Sequence, residues 1–158
     1  MIKIIATLLT LFAFNVSHAK VNVGIILGFT GPIETLTPGM SAGAELAFNE
    51  AADSGNLLDG QSINIIKVDS TCVDSAAATS AAESLISQGV TAIMGADCSG
   101  VTGAVLSNVA VPNGVPMISP SATSPGLTTA ADNGLFFRTA PSDARGGEVL
   151  ADITLSLS

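Results

Sequence analysis

The sequence is poor in the side chains that carry most enzyme chemistry and most nucleic-acid binding. Its 158 residues include no Trp, no Tyr, one His and two Cys, with 5 basic side chains against 13 acidic ones. A formal charge of -8 with so few Lys and Arg residues provides no cationic surface for phosphates, which argues against a nucleic-acid partner. Hydrophobic residues make up 47% of the chain, as expected for a packed globular domain.

The first nineteen residues have the features of a secretory signal peptide. Lys3 precedes an apolar run over residues 4–14, and Ser17 and Ala19 place small side chains ahead of Lys20. The run is shorter than the roughly 20 residues that a membrane-spanning helix needs. We therefore expect cleavage after Ala19 and export of the chain; a membrane anchor or a buried first helix is the alternative.

Cleavage at this point would remove His18, the only histidine. Four basic and thirteen acidic residues would remain, a formal charge of -9. A Ser-His-Asp triad, a Cys-His dyad and a zinc site that contains His are then excluded. Ser99 has no histidine base, and the two common glycine-rich nucleotide motifs are missing. We predict no catalytic residue, no metal and no cofactor.

The two cysteines are placed for a structural role. Cys72 and Cys98 lie 26 positions apart, without the further ligands that zinc requires and without Cys-x-x-Cys spacing. An exported protein meets oxidising conditions, which favour a disulfide between them. The alternative is a pair of free buried thiols.

Apolar runs alternate with helix-like stretches, which predicts an α/β fold with a doubly wound, mostly parallel sheet. The predicted strands are residues 21–27, 63–68, 90–94, 117–118 and 135–139. Helical spacing marks residues 40–51, 76–87 and 101–110 and the stretch from residue 143 to the end. Asp59 and Gly60 should form a turn, and Asp74 or Ser75 should cap the second helix.

Three loops that follow predicted strands are rich in Gly and small hydroxyl residues: 28–37, 95–100 and 119–128. Ligands of doubly wound sheets bind at the carboxyl ends of the strands, where such loops meet. Ser99, Ser121, Ala122 and Thr123 then outline a polar pocket for a small zwitterion, with hydroxyls and amides for a carboxylate and a carbonyl for an ammonium group. The alternative, which spacing by itself favours, is that Ser99 and Thr123 are only cap and turn residues.

Three acidic residues also stand near these loops. Asp69 and Asp97 could form a carboxylate pair, although a surface or capping role is favoured for both. Asp143 follows Pro141 and Ser142 and is expected to cap the last helix rather than act as an acid catalyst.

Several segments, in the right order, resemble the amino-terminal lobe of a type I periplasmic binding protein in the leucine/isoleucine/valine-binding branch. These are Gly31-Pro32, residues 69–72 and 95–99 around the cysteines, residues 117–128 (MISPSATSPGLT) and residues 137–143 (FRTAPSD). The resemblance implies lobe 1 over residues 20–140, then the crossover and the first helix of a largely missing lobe 2 over residues 141–158. We therefore expect the sequence to be a fragment of a two-lobed protein.

The same resemblance implies a function and roles for individual residues. Ser99 would give a hydroxyl and an amide to a ligand carboxylate, Ser121 a backbone contact, and Thr123 contacts to both carboxylate and ammonium. The loop around Leu36 would touch the ligand side chain. The expected activity is non-enzymatic: capture in the periplasm of a branched-chain or related amino acid, or an amide, for an ABC permease. The alternative is the ligand-binding domain of a periplasmic sensor.

Overall fold

The computed structural model describes residues 20–56 and 61–157. The expected signal peptide, residues 1–19, and the expected turn at Asp59 and Gly60 lie outside the described residues. The described part contains five strands: β1 Lys20–Leu27, β2 Ser62–Asp69, β3 Val90–Gly95, β4 Met117–Ser119 and β5 Phe136–Arg138. Its α-helices are α1 Thr37–Asp53, α2 Ser75–Ser87, α3 Ser99–Val105 and α4 Asp143–Ser156. A π-helical turn, Leu106–Ala110, continues α3, and a 3-10 turn spans Pro125–Thr129.

The strands form one fully parallel sheet in the order β2-β1-β3-β4-β5. Each crossover carries the chain back to the amino edge, so all strands present their carboxyl ends to the same side. The strand order changes direction beside β1, because β2 lies on one side of it and β3 on the other. The predicted α/β, doubly wound fold is confirmed, and the space above β1 and β3 is its topological switch point.

One face of the sheet carries the main core. Ile26, Ile93 and Met117 are at most 1% exposed and belong to a cluster that includes Leu85 of α2 and Val105 of α3. Gly24 allows α2 to pack this closely, since a Cβ atom there would lie 2.6 Å from Leu85 Cδ1. Because Gly24 has no side chain, α2 can lie this close to the sheet.

The start of α2 resolves one alternative left open by the sequence. Asp74 is the N-cap, and its Oδ1 accepts hydrogen bonds from the N–H groups of Ala76 at 2.9 Å and Ala77 at 3.0 Å. These are orphan donors of the first helical turn, and a cap of this kind contributes about 1 kcal/mol.

The opposite face is covered less completely. Met94, Ile118 and Phe137 lie side by side in register on β3, β4 and β5, and the last two are 42% and 57% exposed. A groove of about 400 Å³ runs between Met94, Ile118 and the α1 residues Met40, Ala44 and Phe48.

Helix α4 has no buried residue. Within the described residues, none of the helices combines the length and the apolar character needed to cross a membrane.

Candidate functional site

The candidate site lies at the carboxyl edge of the sheet, beside the switch point. Asp97, which follows β3, is 2% exposed and joins the loops there. Its Oδ2 accepts a hydrogen bond from Gly28 N, after β1, at 2.7 Å, and its Oδ1 accepts from Cys98 N at 2.9 Å. The surface or capping role expected for Asp97 is wrong: backbone donors from two loops enclose its carboxylate, and the N-cap of α3 is Cys98.

A disulfide joins two of the same loops. Cys72, between β2 and α2, and Cys98, at the N-cap of α3, are bonded, with their Cα atoms 5.2 Å apart. The pair of free thiols considered as an alternative is therefore not what the structure contains. The bond fixes the start of α3 relative to the end of β2.

Ser99 is the first residue of α3, and its hydroxyl faces the loop after β4. Its Oγ accepts the N–H of Ser124 at 3.1 Å. The N-cap position belongs to Cys98, so Ser99 is not the cap that the alternative interpretation required. A hydroxyl that accepts one hydrogen bond still has its own proton to donate. Ser99 is thus arranged as a donor, the polarity that a carboxylate needs.

Thr123 has the opposite polarity. Its Oγ1 donates to Asp143 Oδ2 at 2.9 Å, and Asp143 N donates to Thr123 O at 3.0 Å. The single hydroxyl proton is therefore committed, and Oγ1 has only lone pairs to offer a ligand. With the exposed Asp143 carboxylate beside it, this position suits a cation such as an ammonium group.

The role expected for Asp143 is corrected by the start of α4. The N-cap is Ser142, whose Oγ accepts the N–H of Ala144 at 3.3 Å. Asp143 is instead the first helical residue and is bonded to Thr123. Sequence reasoning missed this residue as part of the site; the Ser-Asp pair at a helix start gives two equivalent capping candidates, and the partner of the second lies 20 positions away.

Ser121 and Ala122 are held within the same network. Ser121 Oγ donates to the carbonyl oxygen of Asp97 at 3.0 Å. Ala122 is fully buried; its N–H donates to Ser119 Oγ at 3.0 Å and its carbonyl oxygen accepts from Arg138 Nη1 at 3.2 Å. These bonds fix the course of the loop that presents Thr123.

The structure brings four of the five predicted site residues together. Ser99, Ser121, Ala122 and Thr123 are joined through the loops after β3 and β4. Leu36 lies at the N-cap of α1, beyond the loop that follows β1, and is 58% exposed. It is at the same edge of the sheet, and its apolar side chain takes no part in the hydrogen-bond network.

Asp69 completes the carboxyl edge at the end of β2. Burial raises the pKa of its carboxyl, but hydrogen bonds from the Thr30 hydroxyl and from the N–H groups of Thr71 and Thr30 outweigh this, so the pKa lies below its usual value. Asp69 therefore ties the loop after β1 to the end of β2 in its ionised form.

Over residues 20–56 and 61–157, no three His, Cys, Asp or Glu side chains are grouped as a metal site would require.

The structure is thus a parallel, doubly wound α/β lobe with a donor hydroxyl and an acceptor hydroxyl in loops at the carboxyl edge of its sheet. Residues 20–155 match the family model described as periplasmic binding protein, and the chain belongs to this family. The family resemblance inferred from the sequence is confirmed.

Two curated relatives and one solved structure are similar to the chain. It is 31% identical over 151 residues to the Leu/Ile/Val-binding protein BraC3 of Rhizobium johnstonii, covering 95% of this chain and 40% of that protein. It is 30% identical over 141 residues to the Leu/Ile/Val-binding protein homolog 3 of Brucella melitensis, covering 89% of this chain and 37% of that protein. The crystal structure of the branched-chain amino acid transporter substrate binding protein LivJ of Streptococcus pneumoniae, in complex with isoleucine, matches with a TM-score of 0.70 and 32% identity over 79% of this chain and 35% of that one. The chain thus spans about two fifths of the length of the curated relatives it matches.

Proposed function

We propose that this chain forms one side of a cleft that captures a branched-chain or related amino acid in the periplasm, for delivery to an ABC permease. The names of the relatives support this class of ligand. The proposed activity is binding and release of the ligand, without a chemical reaction. The whole binding protein, with a second lobe and a permease partner, is likewise part of the proposal.

The observation that carries the proposal is the opposite polarity of two hydroxyls, on Ser99 and Thr123, in the loops after β3 and β4. Ser99 Oγ is free to donate, whereas Thr123 Oγ1 donates to Asp143 and can only accept. The two residues are linked, since Ser124, which follows Thr123, donates its N–H to Ser99 Oγ. An α-amino acid carries a carboxylate and an ammonium group on one carbon and so matches both positions at once.

Charge supports the same ligand orientation. The Asp143 carboxylate stands next to Thr123 and is exposed, so it attracts the ammonium end of the ligand. Arg138, the cation nearest this loop in sequence, uses its guanidinium on the carbonyl oxygens of Ala122 and Ser124. The ligand carboxylate would therefore be held at Ser99 by hydroxyl and amide donors rather than by an ion pair.

Leu36 gives the ligand side chain an apolar neighbour in this proposal. It is exposed at the same edge of the sheet, at the start of α1. An aliphatic ligand side chain would cover part of this surface, and each buried methylene group would add about 0.8 kcal/mol.

An NMR titration of the ¹⁵N-labelled chain tests the proposal. L-leucine should produce saturable shifts of the Ser99, Thr123 and Ser124 amides, with a dissociation constant on the order of 1 mM, about 4 kcal/mol of binding free energy, because one lobe leaves the ligand half in water.

Two leucine analogues serve as controls. 4-Methylpentanoate lacks the ammonium group, and 3-methylbutylamine lacks the carboxylate. Each should therefore bind at least about tenfold more weakly than L-leucine. Shifts that never saturate with any branched-chain amino acid, or equal binding of leucine and 4-methylpentanoate, would contradict the proposal.

A further inference from the structure

Asp97 is a buried acid that lies outside the proposed ligand contacts. It is 2% exposed and sits between the carboxyl ends of β1 and β3, at the switch point of the sheet. The two ion pairs among the described residues are Lys67–Glu45 and Arg145–Glu148, so no cation in that part of the chain neutralises Asp97. Burying a carboxylate costs free energy unless donors surround it.

Neutral donors from several loops replace that missing cation. Oδ2 accepts from Gly28 N at 2.7 Å, while Oδ1 accepts from Cys98 N at 2.9 Å and from Ser70 Oγ at 3.3 Å. The backbone carbonyl oxygen of Asp97 accepts from Ser121 Oγ at 3.0 Å. One residue therefore connects the loops that follow β1, β2, β3 and β4.

The packing around the carboxylate leaves it little freedom. A Cβ atom on Gly28 would lie 3.3 Å from Asp97 Oδ2 and 3.1 Å from Cys72 Cβ. Ser70 is fully buried as well. The position of Cys98, and with it the adjacent Ser99 at the start of α3, thus depends on where this carboxylate is held.

We propose that Asp97 is a positioning residue for the ligand-facing edge. Through Cys98 it sets the place of the Ser99 hydroxyl, and through its own carbonyl oxygen it orients the loop that carries Ser121 and Thr123. The ligand part of this role rests on the proposed function; the positioning part does not, because it concerns hydrogen bonds within the free protein.

The first test therefore uses no ligand. In Asp97→Asn the side chain keeps its size, but an NH₂ group now faces one of the two backbone N–H groups, so one of the two contacts is lost. Hydrogen exchange of the Ser124 N–H, which donates to Ser99 Oγ, should become about tenfold faster or more in the full chain.

The control variant is Asn22→Ala, near the amino end of β1. It removes two hydrogen bonds, from Asn22 Nδ2 to Gln88 O at 2.7 Å and from Asn64 Nδ2 to Asn22 Oδ1 at 2.9 Å. It should lower the melting temperature while leaving the exchange rate of Ser124 within about twofold of the parent. An unchanged Ser124 exchange rate in Asp97→Asn, or equal acceleration in both variants, overturns the proposal.

The second test measures affinity for L-leucine. Asp97→Asn should weaken binding about tenfold, and Asn22→Ala should leave it within about twofold. Loss of affinity in proportion to loss of stability in both variants would show a merely structural role and overturn the proposal. If the parent chain binds no amino acid, the proposed function fails, while the exchange experiment still decides whether Asp97 positions Ser99.

A milder variant covers the case in which Asp97→Asn does not fold. Ser70→Ala removes one donor to Oδ1 and leaves both backbone donors in place. Ser124 exchange should then rise about two- to fivefold, and an unchanged rate again overturns the proposal.

Discussion

Thr123 shows how a neighbouring acceptor decides what a hydroxyl group can bind. Any threonine hydroxyl has one proton and two lone pairs. Because Asp143 takes the proton of Thr123, only the lone pairs of that hydroxyl are left for another partner. Ser99, which receives the Ser124 N–H, keeps its proton. Two chemically similar side chains thus acquire opposite preferences from their partners alone.

Replacement of Thr123 by Val tests this polarity. The variant keeps the shape of the side chain and removes the acceptor, so L-leucine should bind about tenfold more weakly, a loss of about 1.5 kcal/mol or more. Binding of 4-methylpentanoate, which has no ammonium group, should not change. Isothermal titration calorimetry or NMR titration with both ligands measures the difference.

Thr91→Val is the matched control for this experiment. Thr91 lies near the amino end of β3 and donates its hydroxyl to Asn22 O at 3.1 Å. It should leave the affinity for both ligands unchanged. Equal losses for leucine and 4-methylpentanoate in Thr123→Val would contradict the assigned role.

Asp69 gives a prediction about acid stability. Its pKa lies below the ordinary value of 3.8, because hydrogen bonds from Thr30 and Thr71 outweigh the effect of burial. A lowered pKa in the folded state contributes stability that is complete above the pKa of the unfolded chain and is lost as the pH falls through the folded value. Asp69→Asn should therefore melt at a lower temperature than the parent at neutral pH, and the gap should close below about pH 4.

Melting curves between about pH 2 and pH 7, followed by circular dichroism, measure this gap. Asp53→Asn, at the exposed C-terminal end of α1, makes the same change in charge without removing the Thr30 and Thr71 contacts. A gap for Asp69→Asn that stays constant across the whole pH range would refute the assignment.

At the scale of elements, hydrophobic patterning was enough to predict the strand and helix order. The central strands β1 and β3 are mostly apolar, as is typical of parallel strands with helices on both faces of the sheet. The outermost strand is shorter than predicted: β5 spans Phe136–Arg138 rather than residues 135–139. Leu135 and Thr139 still pair with β4, each through one backbone hydrogen bond, from Met117 N to Leu135 O and from Thr139 N to Ser119 O.

The candidate site could be predicted only in part, for a physical reason. Ser99, Ser121 and Thr123 stand in loops whose composition and position after strands are visible in the sequence. The partners that define their polarity are distant: Asp143 lies 20 positions from Thr123, and Gly28 lies 69 positions from Asp97. The local sequence pattern carries no information on such distant contacts. The burial of Asp97 and its hydrogen bonds to other loops therefore emerge only from the fold. The roles of the individual residues toward a ligand remain predictions.

The disulfide makes a prediction about two connected elements. Cys72 and Cys98 close a loop that contains α2 and β3. A loop of 26 residues restricts the unfolded chain by about 3.5 kcal/mol in the chain-entropy model. The double variant Cys72→Ala/Cys98→Ala should lose about this much unfolding free energy, measured by urea denaturation.

Dithiothreitol provides the control for this prediction. The parent chain should move toward the midpoint of the double variant when its disulfide is reduced, whereas the double variant should not respond. A double variant as stable as the oxidised parent would show that the cross-link adds nothing.

At the scale of the whole molecule, an apolar stripe along α4 and its C-cap residue is exposed in the described part of the chain. Val149, Leu150, Ile153 and Leu157 are 40%, 66%, 50% and 82% exposed, as expected for a stripe that packs on another layer. We predict concentration-dependent association of the chain from Lys20 onward. The formal charge of -9 on that chain opposes association, so added salt should strengthen it by screening the repulsion.

Sedimentation velocity at low and high salt measures this association. The double variant Leu150→Ser/Ile153→Ser should sediment as a monomer at concentrations where the parent associates. Ala151→Ser, at an exposed position of the same helix, is the control and should behave as the parent does. A monodisperse parent monomer at every salt concentration would contradict the prediction.

The direction of β1 has a practical consequence for measuring binding. Lys20 begins the strand at the amino edge of the sheet, while Gly28, Ser99 and Thr123 all follow strands at the carboxyl edge. An eight-residue strand separates the two edges by about 26 Å. A biotin or affinity handle joined ahead of Lys20 therefore anchors the molecule on a biosensor surface with the loops of the proposed binding site pointing into the flowing solution.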